Sequence, residues 1–370
     1  MNSVLFTVIM VGFWGLNLMN GTGLGTVYHT IALSQTAAVV LAAGCLFRQV
    51  GKDGGLYAAR RYFYPGLAMA AVFTVSGWFG GHGLQALEYL WAYLIVYIFA
   101  NIRVRRKALR LAGFAYAGLG AAILYIFGFM DALDGWNGNT IAMVGLFSFL
   151  IFIIPYFGAT DRRSKLMLPG VALAYVFLLQ YTDSRSCMIA VVLSILLTFG
   201  IIPMKKVLRS KKWLWFILLV PVLVAGVIVL ISGSGLADGL NTWSLQEFGK
   251  PIFNGRDTLW QQGFETLFDN FWFGTGYINS GYWHNSAVAC LAAFGAVGFG
   301  LWVKLFHVML GDVRRYSGDV CVAGAMTAFL VLYCQQSVEL GLIAPNPNML
   351  PYVMLGLMLG RVRYLKGKET

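Results

Sequence analysis

Charged side chains are scarce in this sequence of 370 residues, of which 11% are charged and 59% are hydrophobic. The apolar residues come in runs of about 17–22, the length that crosses ~30 Å of hydrocarbon. A soluble core is not arranged in this way, and the alternating pattern of barrel strands is absent. The composition therefore predicts an all-α, polytopic membrane helix bundle.

Cysteine is also rare, with five residues in the chain. No two of them form a C-x-x-C pair, and none lies in a cluster with histidine at metal-ligand spacing. Neither a disulfide framework nor a zinc site is supported. The five lie in or at the ends of apolar runs and are predicted to pack as small apolar residues: Cys45, Cys187, Cys290, Cys321 and Cys334.

Twelve apolar runs are candidate membrane spans. The first lacks the basic n-region and cleavage site of a signal peptide, so it is predicted to stay as an anchor. No internal repeat is visible, which gives no support to a transporter built from matched halves. The runs cover residues 3–20, 27–47, 62–79, 84–102, 109–128, 140–157, 166–182, 187–203, 213–232, 284–309, 319–335 and 348–361.

The basic residues fall in every second connecting segment between these runs. By the positive-inside rule, those segments and both termini are cytoplasmic, which requires an even number of spans. Only Arg185, Lys250, Arg256 and Lys304 of the 27 Lys and Arg depart from this pattern. Lys304 lies at the inner end of its span, where it can snorkel. The net charge of +12 is therefore explained by membrane topology and does not indicate nucleic-acid binding.

One outer connection is much longer than the others and covers residues 233–283. Its second half is rich in aromatic residues, and the spacing of its apolar positions predicts an amphipathic helix over 257–271 in the plane of the interface. Asn254 is the predicted N-cap of this helix. Gly255 and Arg256 then lie in its first turn, where free N–H groups and the helix dipole favour an anion.

Three polar residues on the predicted outer face are candidates for chemistry: Arg185, Arg256 and His284. Taken singly, each is ordinary, because an exposed arginine is usually a solvated charge and a histidine at a helix end is usually a cap. Taken together, they stand out in a chain that keeps almost all other basic residues inside. Arginine's planar fork suits pyrophosphate, and a nearby histidine can act as a general base. The set suits group transfer from a lipid-linked pyrophosphate.

Two carboxylates and several aromatic residues are further candidates. Glu88 and Glu339, at the outer ends of the fourth and eleventh spans, are candidates for pairing with the arginines or acting as a base, and both could also simply be hydrated. Most of the rings near His284 are predicted to form an interfacial belt, with a subset available to stack on sugars. The rings are Trp272, Tyr277, Tyr282 and Trp283.

The ordered combination of motifs in residues 180–300 resembles the bacterial O-antigen ligase and polymerase superfamily. The first half of the chain resembles it only in hydropathy and topology. The motifs are Asp183-Ser184-Arg185-Ser186, Asn254-Gly255-Arg256, Trp260, Phe273-Gly274-Thr275-Gly276, His284-Asn285 and Phe294-Gly295-Ala296-Val297-Gly298.

The resemblance implies a GT-C-like, metal-independent, inverting glycosyltransferase without a cofactor. It implies that the enzyme lies in the bacterial inner membrane and uses undecaprenyl-pyrophosphate-linked oligosaccharides on the extracytoplasmic face. Membrane lipids, a chain-length regulator and a flippase are the implied partners. Arg185 and Arg256 would hold the donor pyrophosphate, and His284 would activate or position the acceptor hydroxyl. The other candidate substrate-binding residues are Asn285, Tyr282, Trp283, Glu88 and Glu339.

Several functions remain open. A polymerase moves the growing chain onto the next lipid-linked repeat unit, whereas a ligase moves the finished chain onto the lipid A core. The modest length and single moderate outer loop favour a polymerase, and protein O-glycosyltransferases come third. A glycan flippase or other transporter would need ionisable residues near mid-membrane and broken helices along a path. A scaffold would tolerate replacement of all three candidates. The informative charges lie at the outer rim, which favours an enzyme.

Overall fold

The computed structural model describes residues 3–21, 60–130, 136–232, 234–249, 251–278, 284–343 and 349–369, and every regular element within them is helical. The helices are α1 (Ser3–Gly21), α2 (Arg60–Phe79), α3 (Trp91–Ala100), α4 (Arg106–Phe129), α5 (Gly138–Ile153), α6 (Arg162–Leu179), α7 (Arg185–Thr198), α8 (Met204–Arg209), α9 (Lys211–Ser232), α10 (Gly235–Phe248), α11 (Arg256–Asp269), α12 (Ser286–Val313), α13 (Val320–Gln335) and α14 (Met349–Glu369).

The lengths of these helices confirm the prediction of a polytopic membrane bundle. Three shorter apolar helices, Ser3–Gly15, Arg185–Thr198 and Val320–Gln335, also match predicted runs. The predicted run 27–47 lies outside the described residues, and the count of twelve spans stays a prediction. Five segments are long and apolar enough to cross a membrane: Arg106–Phe129, Gly138–Tyr156, Arg162–Thr182, Lys211–Ser232 and Ser286–Tyr316.

Helices α5 and α13 lie at the centre of the bundle. Every residue from 141 to 153 in α5 is buried, and α13 is buried along almost its whole length. A helix that is apolar on all sides is buried in this way. The peripheral helices α6 and α9 instead expose large apolar side chains such as Leu173 and Leu230. Exposed leucines of this kind fit a surface that faces lipid tails.

The apolar run 84–102, which the sequence predicted as one span, is not one continuous α-helix. It divides into a 3₁₀ segment, Gly83–Leu90, and the 10-residue helix α3. Helix α3 packs closely on α14, where Gly356 and Gly360 leave no room for a Cβ atom beside Phe99 and Ile102. This contact holds α3 against α14.

The outer connection 233–283 contains two helices, α10 and α11, where the sequence predicted one. Helix α11 begins at Arg256 and ends at Asp269, close to the predicted bounds. Its buried face carries Trp260 and Leu267, and it packs against α9 and α12, while Phe268 is 72% exposed. The predicted amphipathic character is therefore present.

The predicted N-cap of α11 was wrong by one residue. Gly255 occupies the cap position with φ 76°, and Asn254 precedes it with φ 50°. Two consecutive left-handed residues turn the chain sharply into the helix, and glycine adopts this conformation without steric cost. Arg256 is consequently the first helical residue.

Helix α12 is interrupted at Gly295, which has φ 63° and ψ −173°. Non-helical backbone at membrane depth needs other partners for its freed N–H and C=O groups. The turn 271–276 of the outer connection supplies them. The bonds run from Thr275 N to Ala292 O (3.1 Å), Gly276 N to Ala293 O (2.7 Å), Ala296 N to Phe271 O (2.8 Å) and Val297 N to Trp272 O (3.3 Å).

This backbone pairing leaves no space for side chains at two positions. A Cβ atom on Gly295 would overlap the carbonyl carbon of Trp272, and one on Gly274 would overlap that of Ala293. Both glycines also have positive φ. The break in α12 is filled by protein backbone, so it differs from the cavity-lining broken helices of transporters.

Candidate active site

A buried carboxylate lies between two of the three predicted site residues. Glu339 follows the C-terminal end of α13, and its side chain is 11% exposed. Its Oε1 lies 3.5 Å from Nη2 of Arg256, and its Oε2 lies 3.9 Å from Nδ1 of His284. The two basic side chains are more exposed, at 23% and 39%. One carboxylate thus brings together the start of α11 and the start of α12.

Arg185, the third predicted residue, lies at the first position of α7 and is half-buried. Burial lowers the pKa of the Arg256 guanidinium, Glu339 opposes this shift, and the nearby charge of Arg185 lowers the pKa further. The two guanidinium groups are therefore close enough to repel each other. Helices α7, α11, α12 and α13 bring all three predicted residues to one region.

Two of the three basic residues contact the same carboxylate. Glu339 is shared by Arg256 and His284, whereas Arg185 has no side-chain hydrogen bond or ion pair to another described residue. One carboxylate does not neutralise two nearby arginines. Water and salt screen such partly buried charges only weakly. An anion with several oxygens, such as a pyrophosphate, would complement them.

The motifs of Arg185, Arg256 and His284 each contain a non-glycine residue with positive φ. The non-glycine residues with positive φ in the described ranges are Asp183 (58°), Asn254 (50°) and His284 (42°). Each costs energy relative to ordinary backbone, of order 1–3 kcal/mol, and such residues concentrate at functional sites. The first two lie two residues before Arg185 and Arg256, and the third is His284 itself. The sequence alone does not predict these left-handed backbone conformations.

The sequence predicted Asn285 as a substrate-binding residue, and the structure shows its side chain in hydrogen bonds within the protein. Its side chain is fully buried, and its Oδ1 accepts hydrogen bonds from the backbone N–H groups of Ala287 and Val288, which caps α12. Its Nδ2 donates to the carbonyls of Pro221 and Ser337, both at 2.9 Å. The amide is thus occupied within the protein and fixes the helix start beside His284.

The remaining predicted residues belong to other segments or to parts of the chain that the structure does not describe. Tyr282 and Trp283 are outside it, and Glu88 lies in the 3₁₀ segment Gly83–Leu90. Trp272 is 64% exposed on the outer connection. The ring of Tyr277 stacks on His82 with centroids 4.6 Å apart, a pairing that the sequence did not indicate.

Residues 170–303 match the family described as O-antigen ligase. The predicted resemblance to the O-antigen ligase and polymerase superfamily is confirmed. The matched region, residues 170–303, covers rather more than a third of the chain and contains Arg185, Arg256 and His284. No curated protein and no solved structure matches the chain.

The family match indicates a polymerase- or ligase-type function with a glycosyltransferase-like activity. Lipid-linked oligosaccharides and membrane lipids are the partners that this family implies. Glu339 lies beyond the matched region, so only the tertiary structure connects it with Arg256 and His284.

Proposed function

We propose that the protein is a polysaccharide polymerase that transfers a growing undecaprenyl-pyrophosphate-linked glycan onto the next lipid-linked repeat unit. The observation that carries the proposal is the convergence of Arg185, Arg256 and His284 near one buried carboxylate, Glu339. The family match over residues 170–303 supports the reaction class.

The two arginines bind the donor pyrophosphate in this proposal. A guanidinium offers a planar fork of donors that matches phosphate oxygens, and its charge persists at neutral pH. Arg185 is available without losing another side-chain partner among the described residues, whereas Arg256 shares its charge between Glu339 and the ligand. The positive charges of the two arginines stabilise the negative charge that develops on the leaving group.

His284 acts as the general base. Its Nδ1 faces Glu339, so a proton on Nδ1 is stabilised by the carboxylate and Nε2 remains as the acceptor. The acceptor hydroxyl gives its proton to Nε2 while its oxygen forms a bond to the anomeric carbon of the donor. The bond from that carbon to the pyrophosphate oxygen breaks, and undecaprenyl pyrophosphate leaves with the electron pair. A single displacement inverts the anomeric centre, and no metal is required.

The reaction takes place on the extracytoplasmic face of the bacterial inner membrane, with both termini in the cytoplasm. The distribution of Lys and Arg among the connecting segments supports this orientation. Asn285 belongs to the site as a residue that holds the start of α12, and not as a direct substrate contact.

A ligase that transfers the glycan to the lipid A core is the second candidate, and the description of the matching family as O-antigen ligase favours it. Both reactions use the same donor and leaving group. They differ in the acceptor, so the acceptor requirement separates them.

The test is a reaction of the purified protein with undecaprenyl-pyrophosphate-linked repeat units, followed on a chain-length gel. Wild type is compared with Arg256→Ala, His284→Ala and the control Arg163→Ala, an exposed arginine in the first turn of α6. We expect a ladder that only the two site variants lose. Product that appears only after a lipid A core is added would identify a ligase. Absence of product with either acceptor would contradict both.

A further inference from the structure

Two consecutive glutamines at the C-terminal end of α13 are almost completely buried. Gln335 is 6% exposed and Gln336 is 1% exposed. A buried amide that lacks hydrogen bonds is strongly destabilising, whereas a saturated one is held rigidly. The partners of these two side chains therefore determine what the pair does.

Gln336 connects to the start of α12. Its Oε1 accepts hydrogen bonds from the Ser286 hydroxyl and from the backbone N–H of Leu342, both at 3.1 Å. Ser286 is the first residue of α12 and lies two residues after His284. The Nε2 of Gln336 donates to the Oε1 of Gln335 at 2.7 Å.

Gln335 continues the connection to the start of α7. Because its Oε1 is occupied by Gln336, its Nε2 faces the other way and donates to the Ser186 hydroxyl at 3.2 Å. Ser186 immediately follows Arg185. The direction of donation along Gln336, Gln335 and Ser186 is fixed, because each amide has one donating and one accepting end.

The segment that carries Glu339 joins the same network through its backbone. The N–H of Ser286 donates to the carbonyls of Gln336 and Glu339, each at 3.1 Å. The two adjacent glutamines thus connect three segments of the chain. Each segment carries one charged site residue: Arg185, His284 or Glu339. We call these two amides, with Ser186 and Ser286, the glutamine relay.

We propose that Gln335 and Gln336 are positioning residues that set the alignment of Arg185 with the His284–Glu339 pair. The inference rests on the proposed function, in which Arg185 holds the leaving group and His284 takes the acceptor proton. Neither glutamine touches the reacting atoms. Small displacements of groups that act on opposite ends of the breaking and forming bonds reduce the rate far more than they reduce binding.

The first variant is Gln335→Met, which keeps the volume of the side chain but removes both the donor to Ser186 and the acceptor for Nε2 of Gln336. We expect kcat to fall about tenfold or more, with the KM for undecaprenyl-pyrophosphate-linked repeat units changed by less than about twofold, because donor binding survives and alignment does not. Thr327→Val is the matched control. Thr327 is buried in the same helix, and its hydroxyl has no hydrogen-bond partner among the described residues.

A double-mutant cycle tests whether the relay acts as a unit. Ser186→Ala removes the far end of the relay, so adding it to Gln335→Met should lower kcat little further. The same cycle with Thr327→Val should give additive effects. Additive losses for Gln335→Met and Ser186→Ala would overturn the relay.

Hydrogen exchange provides a readout that needs no activity. In Gln335→Met we expect faster exchange at 286–288, at 341–342 and at the first turn of α7, as well as at the end of α13, and no such change in Thr327→Val. If wild type forms product and Gln335→Met keeps its kcat, the positioning role is wrong and the proposed function stands. If wild type forms no product, the proposed function fails, and exchange decides the relay: acceleration in all three segments supports it, and acceleration confined to α13 overturns it.

Discussion

The Arg256 guanidinium lies 3.5 Å from the carboxylate of Glu339, a residue that follows helices α11, α12 and α13 in the chain and lies outside the matched family region. The second oxygen of the same carboxylate faces His284. One acidic side chain therefore influences both the proposed anion-binding arginine and the proposed base. This shared contact gives the sharpest test of the site.

Glu339→Gln should change donor binding and turnover in opposite directions. Loss of the charge frees Arg256 for the donor, so free pyrophosphate should inhibit the reaction at lower concentration. It also removes the negative charge that faces Nδ1 of His284, so kcat should fall about 10²-fold. Inhibition and turnover assays on the purified variant measure both. Glu247→Gln, an exposed position on α10, is the control. Parallel loss of binding and turnover would contradict the shared role.

Arg185→Lys keeps the positive charge but removes the planar fork of donors. We expect the KM for the lipid-linked donor to rise about tenfold, because lysine replaces a bidentate contact with a point charge. The control is Arg163→Lys, which makes the same change at an exposed position of α6. Unchanged KM in Arg185→Lys would mean that Arg185 does not contact the phosphates.

Gly295→Ala should destabilise the protein, because a Cβ atom at this position would overlap the Trp272 carbonyl carbon and the residue has φ 63°. We expect a loss of about 1–3 kcal/mol of folding free energy, seen as a lower thermal unfolding midpoint in detergent. Gly300→Ala lies in the same helix with nothing within 4 Å of its added Cβ and should leave the midpoint unchanged or slightly higher. Equal midpoints for both variants would refute the close backbone pairing.

Asp319→Ala should be more damaging than loss of an ordinary helix cap. Its carboxylate accepts from Nε and Nη2 of Arg361, at 3.0 and 2.7 Å, as well as capping α13. Removal leaves Arg361 buried without its partner, which typically costs about 3–5 kcal/mol. Asp161→Ala removes an exposed cap of α6 and should cost about 1 kcal/mol. Comparable unfolding midpoints would show that the ion pair contributes little.

Local sequence features predicted the class of the fold and singled out the three charged residues that the proposed function uses. The length of an apolar run decides whether a segment can cross hydrocarbon, and this property needs no knowledge of neighbouring helices. The motifs around Arg185, Arg256 and His284 are each a few residues long, so they were readable in the same way. The amphipathic spacing likewise predicted α11 almost to its ends.

Other predictions failed because they depend on what the local backbone packs against. The run 84–102 is apolar enough for one continuous α-helix, yet its first part is a 3₁₀ segment and the α-helix begins only at Trp91, where α3 packs closely on α14. Asn254 has the chemistry of an N-cap, but the left-handed turn places Gly255 at that position. Asn285 stands next to His284 in sequence, and only its buried surroundings direct its amide inward.

By itself, the sequence determined that this protein is a helical membrane protein with a motif set of the O-antigen ligase and polymerase superfamily, because run length, charge placement and short motifs are properties of the chain alone. Only the tertiary structure decided that Glu339 joins Arg256 to His284, that Gly295 breaks α12 against the outer turn, and that two buried glutamines connect the site segments. These are contacts between residues distant in the chain, and long-range packing alone fixes them.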